Sequence, residues 1–223
     1  LNTDPDEDCQ DADESANNNP LPIGIVDAGP DYIRFTADHS YNDPTANPDP
    51  TAYAPDLNGP NEIIEYRLSG TTLQRQDGGG GWEDVAYDIE AVGFAYAVDN
   101  EPTADGGDGE LDTDGGAIIW TTDTNWASSS DGLDKTLDSN NDGVIDENDA
   151  ESGVVLAAKI PISSIRAVRI WLLARTRQPI KDHTDNNTYV VGPFWRGPAD
   201  GDWDPSRKRV LLTTTIYCRN MGS

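Results

Sequence analysis

The sequence is poor in basic side chains and contains no long apolar run. Lysine and arginine number 15 against 41 aspartates and glutamates, so the formal net charge is −26 at pH 7. This charge repels nucleic-acid phosphates and anionic lipids, which argues against a nucleic-acid groove or an electrostatic membrane anchor. No stretch reaches the ~18 consecutive apolar residues of a transmembrane helix. The expected partners are therefore neutral, cationic or metallic.

The motifs of common catalytic sites are also missing. The chain has no G-x-S-x-G elbow, no H-E-x-x-H and no phosphate-cradling glycine motif. His39 and His183 lie in polar segments without a Cys or His at zinc spacing. A glycosidase with two carboxylates is the enzymatic alternative. Its sugar cleft would be lined by Trp82, Trp120, Trp126, Trp195 and Trp203. Such tryptophans are more often packing residues, so the sequence favours a protein that is not an enzyme.

Cysteine is scarce, and the two cysteines lie near opposite ends of the chain. A disulfide between Cys9 and Cys218 would close almost the whole sequence into one loop. Chain-entropy arguments, which are model-dependent, value such a cross-link at roughly 4 to 5 kcal/mol. The bridge would place the protein in an oxidising compartment. The alternative is two unrelated thiols, one in an acidic tail and one in a core strand.

The apolar residues are gathered into short runs between loops rich in Gly, Pro, Asn and Asp. This rhythm is typical of a mainly β protein, and helix signals are weak throughout. Residues 1–20 carry almost no apolar side chain, and we expect them to form an acidic extended arm. Residues 21–223 are predicted to form one β-rich domain with antiparallel sheets, long acidic loops and a metal-loop insertion at about 131–153.

Alternating side chains predict the individual strands in the first half of this domain. Strands are expected at 31–37 and 62–70, with TTLQRQ as the hairpin return of the second. In AVGFAYAV, 91–98, large residues alternate with small ones. This pattern predicts one core face and one face that permits close approach by a helix, a sheet or a loop.

Three further strands are expected in the second half. The apolar residues of 165–176 occupy both faces, which predicts a central strand. A shorter strand is expected at 188–192. In the last segment, 207–218, four residues share one face, so Cys218 is predicted to point toward the core. They are Val210, Leu212, Ile216 and Cys218.

One segment carries a specific chemical pattern. DSNNDGVIDEND, 138–149, has the spacing of an EF-hand calcium loop except at its last residue. The predicted ligands are Asp138, Asn140 and Asp142 at positions one, three and five, the Val144 carbonyl at seven, Asp146 through water at nine and Asp149 at twelve. Gly143 permits the sharp turn at position six. Asp149 stands where an EF-hand has the longer Glu, as in the calcium loops of dockerin modules, which this stretch resembles.

Calcium is the expected ion because flexible oxygen ligands suit it better than magnesium. The flanking segments do not form an amphipathic helix pair, so we expect a structural ion without sensor-type opening. The alternative is a hydrated Asp-Asn-Gly loop. A second acidic stretch, 99–116, matches no ligand template, and a hydrated loop is its default interpretation. Its acidic residues include Asp105, Asp108, Glu110, Asp112 and Asp114.

Several strand segments resemble a known family. EIIEYRLSGTTLQRQ, DIEAVGFAYAV, IRAVRIWLLART and RKRVLLTTTIYCRNMG resemble, in order and spacing, the globular region of PilW-like minor pilins of bacterial type IV pili. The resemblance covers most of residues 23–221, intermittently. Its most distinctive part is the closing T-T-I-x-x-R-N, formed by Thr214, Thr215, Ile216, Arg219 and Asn220.

This resemblance implies an α+β pilin-like head that acts with other minor pilins and pilus subunits in pilus assembly, priming or tip structure. Such proteins begin with a hydrophobic helix that anchors the precursor in the inner membrane and later packs in the extracellular filament. That helix is not in this sequence, so the resemblance implies a soluble fragment. The calcium loop would be an insertion. The alternative function is a secreted calcium-stabilised β-sandwich binding module, with glycan binding through exposed tryptophans.

Overall fold

The computed structural model describes residues 24–36, 63–78, 80–100, 110–124 and 132–218. These residues form fifteen strands, one turn of 3-10 helix at Ile162–Ser164 and no α-helix, which confirms the mainly β prediction. The expected arm at 1–20 lies outside the described residues. No described segment forms a helix that could span a membrane.

The strands, numbered in chain order, have the following bounds. In the first half they are β1 Ile25–Ala28, β2 Tyr32–Thr36, β3 Ile63–Ser69, β4 Thr72–Asp77, β5 Glu83–Tyr87, β6 Ile89–Val98, β7 Thr113–Asp114, β8 Ala117–Ile118 and β9 Trp120–Thr122. In the second half they are β10 Leu133–Thr136, β11 Val154–Ile160, β12 Ile165–Arg175, β13 Tyr189–Val191, β14 Phe194–Arg196 and β15 Arg209–Tyr217.

The strands form two main antiparallel sheets. The smaller one is a five-stranded meander in the order β1-β2-β3-β4-β5. The larger one has six strands in the order β11-β10-β9-β6-β12-β15. Two short ribbons, β7-β8 and β13-β14, complete the described strands. The larger sheet carries a hydrophobic cluster on each of its faces, so its central strands are apolar on both sides.

The two faces of β6 separate the two clusters, as the alternation of large and small residues predicts. Val92, Phe94, Tyr96 and Val98 lie in the first cluster, together with side chains of the five-stranded sheet. The Tyr96 hydroxyl donates a hydrogen bond of 2.9 Å to the carbonyl of Gly29, which ties the sheets together. On the small face, Gly93 lies so close to β13 that an added Cβ would be 2.2 Å from the Val191 carbonyl oxygen.

The prediction for the last strand needs a correction. Val210, Leu212 and Ile216 do share a face, and β12 next to them is a central strand as expected. However, these three side chains are 49%, 55% and 52% exposed, because β15 is an edge strand that the five-stranded sheet does not cover. Only Cys218, directly after the strand, packs against the first cluster.

Candidate metal centre

The predicted calcium loop connects β10 to β11 and packs on the second hydrophobic cluster. Leu137, directly before the loop, is buried in this cluster, and Ile145 packs against it. The loop also contacts the β7-β8 ribbon, where the Asn141 amide donates a hydrogen bond of 2.6 Å to the Asp114 carboxylate. The ends and one side of the loop are therefore in contact with the rest of the fold.

The first half of the loop turns around its own carboxylates. The two carboxylate oxygens of Asp138 accept hydrogen bonds from the N–H groups of Asp142 at 3.1 Å and Gly143 at 2.7 Å. The side-chain oxygen of Asn140 also accepts from Asp142 N–H, at 2.9 Å. Asp142 in turn accepts from Val144 N–H at 2.9 Å. These bonds bring positions one, three and five of the loop to the inside of one turn.

Asp149 closes the loop from the other end. One of its carboxylate oxygens accepts from Ser139 N–H at 2.7 Å, and the other accepts from Asp146 N–H at 2.9 Å. The Ser139 hydroxyl accepts a bond of 2.8 Å from Ala150 N–H, which holds the two ends of the loop together. Position twelve is thereby placed against position two, despite the shorter side chain of Asp.

Two residues of the loop adopt left-handed backbone conformations. Asn141 has φ 58° and Gly143 has φ 86°. Asn and Gly are the residues that tolerate this region best, so the sequence suits the turn. A Cβ at Gly143 would also lie 3.2 Å from the Cβ of Ala117, against the β7-β8 ribbon.

The loop carries an excess of negative charge. Four of its predicted ligands are carboxylates, and within the described residues no lysine or arginine forms a salt bridge with them. Asp138 and Asp149 are only 4% and 6% exposed. Burying a carboxylate is costly unless hydrogen bonds or a cation compensate it. The loop N–H groups supply part of this compensation.

The predicted ligand set is brought together only in part. Asp138, Asn140, Asp142 and Asp149 are linked through the loop N–H groups given above. The carboxylate of Asp146 accepts from Asn148 N–H at 2.7 Å. In the described part of the chain, no three His, Cys, Asp or Glu side chains are grouped so as to hold a metal ion. Calcium also accepts amide and main-chain oxygens, which Asn140 and Val144 would supply.

The second acidic stretch contributes to the structure around the loop. Asp112 accepts from Asn100 N–H at 3.3 Å, and Asp114 contacts Asn141 as described above. Asp105 and Asp108 lie outside the described residues. The described part of this stretch is therefore a neighbour of the loop, and its use as a separate ion site stays untested.

The tryptophans do not line a common cleft among the described residues. Trp120 is 1% exposed within the second cluster, and Trp203 stacks on Arg209 at 3.3 Å. Trp82 lies on the polar side of the five-stranded sheet, where the Arg67 guanidinium stacks on its ring at 3.7 Å. Trp195 is half-buried in β14, and Trp126 lies outside the described residues.

Cys218 is half-buried, and burial raises the pKa of its thiol, while the charge of Arg166 opposes the rise. It forms no disulfide with another described residue. The proposed partner, Cys9, lies outside the described residues, so the pairing stays a prediction.

A buried ionic network is the main polar feature that sequence reasoning missed. Arg209 is paired through its guanidinium with both carboxylate oxygens of Glu90 and, at 3.4 Å, with Asp185. The three side chains are at most 3% exposed. The three residues are far apart in the sequence, so no local motif predicts the network. The Arg209 guanidinium is hydrogen-bonded to Glu90, Asp185 and main-chain carbonyls, which indicates a structural role.

Comparison of the chain with protein-family models, curated proteins and solved structures found no match.

Proposed function

We propose that this chain is the non-enzymatic globular head of an exported surface protein, of the minor-pilin kind, in which calcium orders the 138–149 loop. Its role would be to contact other pilus subunits during assembly or at the pilus tip. The pilin part of the proposal rests on the strand segments that resemble PilW-like proteins. The mainly β architecture with two packed antiparallel sheets is compatible with such a head.

The observation that carries the calcium proposal is the hydrogen-bond pattern of the loop. Positions one, three and five accept main-chain N–H groups from the inside of one turn, with Gly143 in the left-handed conformation at position six. This leaves uncompensated carboxylate charge in a partly buried site. A hard divalent cation would relieve the repulsion between these carboxylates.

Calcium would act as a structural ion in this proposal. The loop is joined to the core through Leu137 and Ile145, so ordering it would stabilise the face of the larger sheet that they cover. Calcium at ~100 times its dissociation constant would add roughly 2.7 kcal/mol to the free energy of unfolding. For a chain of this size, that gain corresponds to a rise in Tm of about 5 to 10 °C.

The test is thermal unfolding with a chelator and with added calcium. We expect the chelated protein to melt about 5 to 10 °C below the calcium-saturated one. Asp142→Ala should abolish this difference because it removes the ligand at position five. Glu147→Gln is the matched control, because Glu147 is exposed, lies in the same loop and is not a predicted ligand. An equal Tm with chelator and calcium, or an unchanged response in Asp142→Ala, would contradict the calcium role.

The pilin assignment has a separate test in the upstream coding sequence. A leader that ends in Gly, followed by an apolar helix with Glu at its fifth position, would support the pilin head. An ordinary cleaved signal peptide would instead favour a secreted calcium-stabilised binding module.

One observation favours glycan binding as the activity of such a module. On the outer side of the five-stranded sheet, Arg67 stacks on Trp82 and donates to the Gln74 side chain at 3.3 Å. The Gln74 amide donates in turn to Asp84 at 2.9 Å. An aromatic ring beside a row of polar groups offers both stacking and hydrogen bonds to a sugar. Glycan-array binding that Trp82→Ala abolishes would support this alternative.

A further inference from the structure

β15 presents an open backbone edge. Cys218 N–H donates to the Arg166 carbonyl, and Thr176 N–H donates to the Lys208 carbonyl, so the even-numbered residues face β12. In an antiparallel pair the alternate residues point their N–H and C=O groups away. Those of Leu211, Thr213 and Thr215 therefore point outward, and among the described residues no strand lies beyond β15.

This edge lacks the features that usually prevent strands from associating. Its register with β12 runs over nine residue pairs without a bulge, and no charged residue or proline occurs from Val210 to Tyr217. Natural edge strands are commonly protected by charges, prolines, bulges or a covering element. An edge that is long, regular and uncharged is suited to pairing with another strand.

The side chains of β15 also form a self-complementary pattern. Val210, Leu212 and Ile216 are about half exposed on one face. If two copies pair antiparallel about a two-fold axis at Thr213, Val210 lies opposite Ile216 and Leu212 lies opposite Thr214. In the same register, Leu211, Thr213 and Thr215 meet through their outward N–H and C=O groups. Apolar side chains thus face apolar or neutral ones, and the free backbone groups are satisfied.

The apolar surface next to this edge continues into the molecule. A cavity of about 570 Å³ opens between the two sheets, and its wall includes Ile216, Cys218 and Leu172. In the two-fold register, Val210 of a second copy lies beside Ile216 at this opening. The contact would remove from water a surface that the five-stranded sheet leaves uncovered.

We propose that the chain forms a weak two-fold dimer in which β15 pairs with β15 of a second copy, joining two six-stranded sheets into one. The half-exposed side chains of Val210, Leu212 and Ile216 form a patch smaller than the ~800 Å² that each partner buries in a standard interface. A contact of this size is at the low end for specific interfaces, so we expect a weak dimer that forms as the protein concentration rises. Because each copy carries a charge of −26, salt should tighten the dimer by screening repulsion.

The test is sedimentation of the whole chain in calcium-containing buffer at ~1 to 200 µM, in low and in ~0.5 M salt. We expect a monomer–dimer equilibrium that is tighter at high salt. Thr213→Lys should weaken it at least tenfold, because the two lysines would face each other across the axis. The matched control is Val155→Lys on β11, which adds the same charge at a 71% exposed position on the opposite edge of the sheet.

Hydrogen exchange identifies the strand involved. The Thr213 amide points outward in the monomer, so its exchange should slow as the protein concentration rises, and this protection should be lost in Thr213→Lys. A chain that stays monomeric at ~200 µM in ~0.5 M salt would overturn the proposal. The proposal would also be overturned if Thr213→Lys and Val155→Lys weakened the dimer equally. It would be overturned as well if the amides that become protected from exchange at high protein concentration did not include those of β15. None of these readouts depends on the pilin assignment or on the glycan alternative.

Discussion

Among single residues, Arg209 joins parts of the described chain that are far apart in sequence. Its guanidinium is fully buried, pairs with Glu90 on β6 across the intervening β12, and stacks on Trp203. It also donates to the carbonyls of Asp204 and Arg207 at 3.1 and 3.2 Å. These contacts fasten the long connection between β14 and β15 to the larger sheet.

Arg209→Met should therefore destabilise the protein by about 3 to 5 kcal/mol, because Asp185 would remain buried without its cation and Glu90 would keep only Arg175, at 3.3 Å. Arg177→Met is the matched control. Arg177 also forms a salt bridge, with Asp88, but its side chain is 70% exposed, so its loss should cost at most about 1 kcal/mol. Urea unfolding at fixed calcium concentration measures both changes. Equal losses in the two variants would contradict the structural role of the buried pair.

At the scale of secondary structure, the approach of β13 to β6 depends on the small face of β6. Val191 is fully buried there, and its carbonyl oxygen would be 2.2 Å from a Cβ at position 93. Larger residues on this face would keep the β13-β14 ribbon away from the sheet. The sequence predicted that something would approach closely but not what it would be.

Gly93→Ala should accordingly destabilise the fold by about 1 to 3 kcal/mol, because the β13 backbone would have to move away from β6. Gly81→Ala provides the comparison, since nothing lies within 4 Å of a Cβ at that position and its φ is not in the left-handed region. It should leave stability unchanged or slightly improved. Thermal unfolding of both variants checks the expectation, and a neutral Gly93→Ala would show that β13 moves freely.

Strands with a regular pattern were predictable, and irregular ones were not. The segments 62–70, 91–98 and 165–176 alternate or carry apolar residues on both faces, and each holds a strand. β11 was missed because it lies at a sheet edge, where most of its residues are exposed and no alternation is required. β9 is only three residues long, and its place depends on pairing with β6 and β10.

The candidate site was predictable to a similar extent. The positions of Asp138, Asn140, Asp142 and Gly143 follow from spacing within one turn, which local hydrogen bonds decide. The contact between Asn141 and Asp114 joins residues 27 positions apart and depends on how the β7-β8 ribbon packs. The Glu90–Arg209 pair spans 119 positions, so only the tertiary structure brings it together.

For the whole molecule, stability depends on pH through carboxyl groups whose pKa values are shifted in opposite directions by folding. Burial raises the pKa of Asp27, a hydrogen bond from Ala28 N–H opposes this, and the charge of Asp123 adds to the rise. Hydrogen bonding to Arg196 lowers the pKa of the exposed Asp202. A raised carboxyl pKa lowers stability as pH rises through the window between the unfolded and folded values, and a lowered pKa does the opposite.

Asp27→Asn should therefore stabilise the protein at pH 7, and the gain should disappear below about pH 4, where the unfolded carboxyl is protonated as well. Asp202→Asn should give a small loss at pH 7 instead, because it removes a charge that the folded state favours. The measurement is the urea midpoint of each variant at the two pH values. If Asp27→Asn stabilised the protein equally at both pH values, burial of the charged carboxylate would not be the cause of the gain in stability.

The uninterrupted register between β12 and β15 has a mechanical consequence. All nine residue pairs lie side by side, from Ala167 with Tyr217 to Arg175 with Arg209. Antiparallel hydrogen bonds run perpendicular to the strands. A tension applied along β15 would load these bonds together in shear instead of opening them one after another. The final strand of the larger sheet is thus built to resist pulling along its own axis.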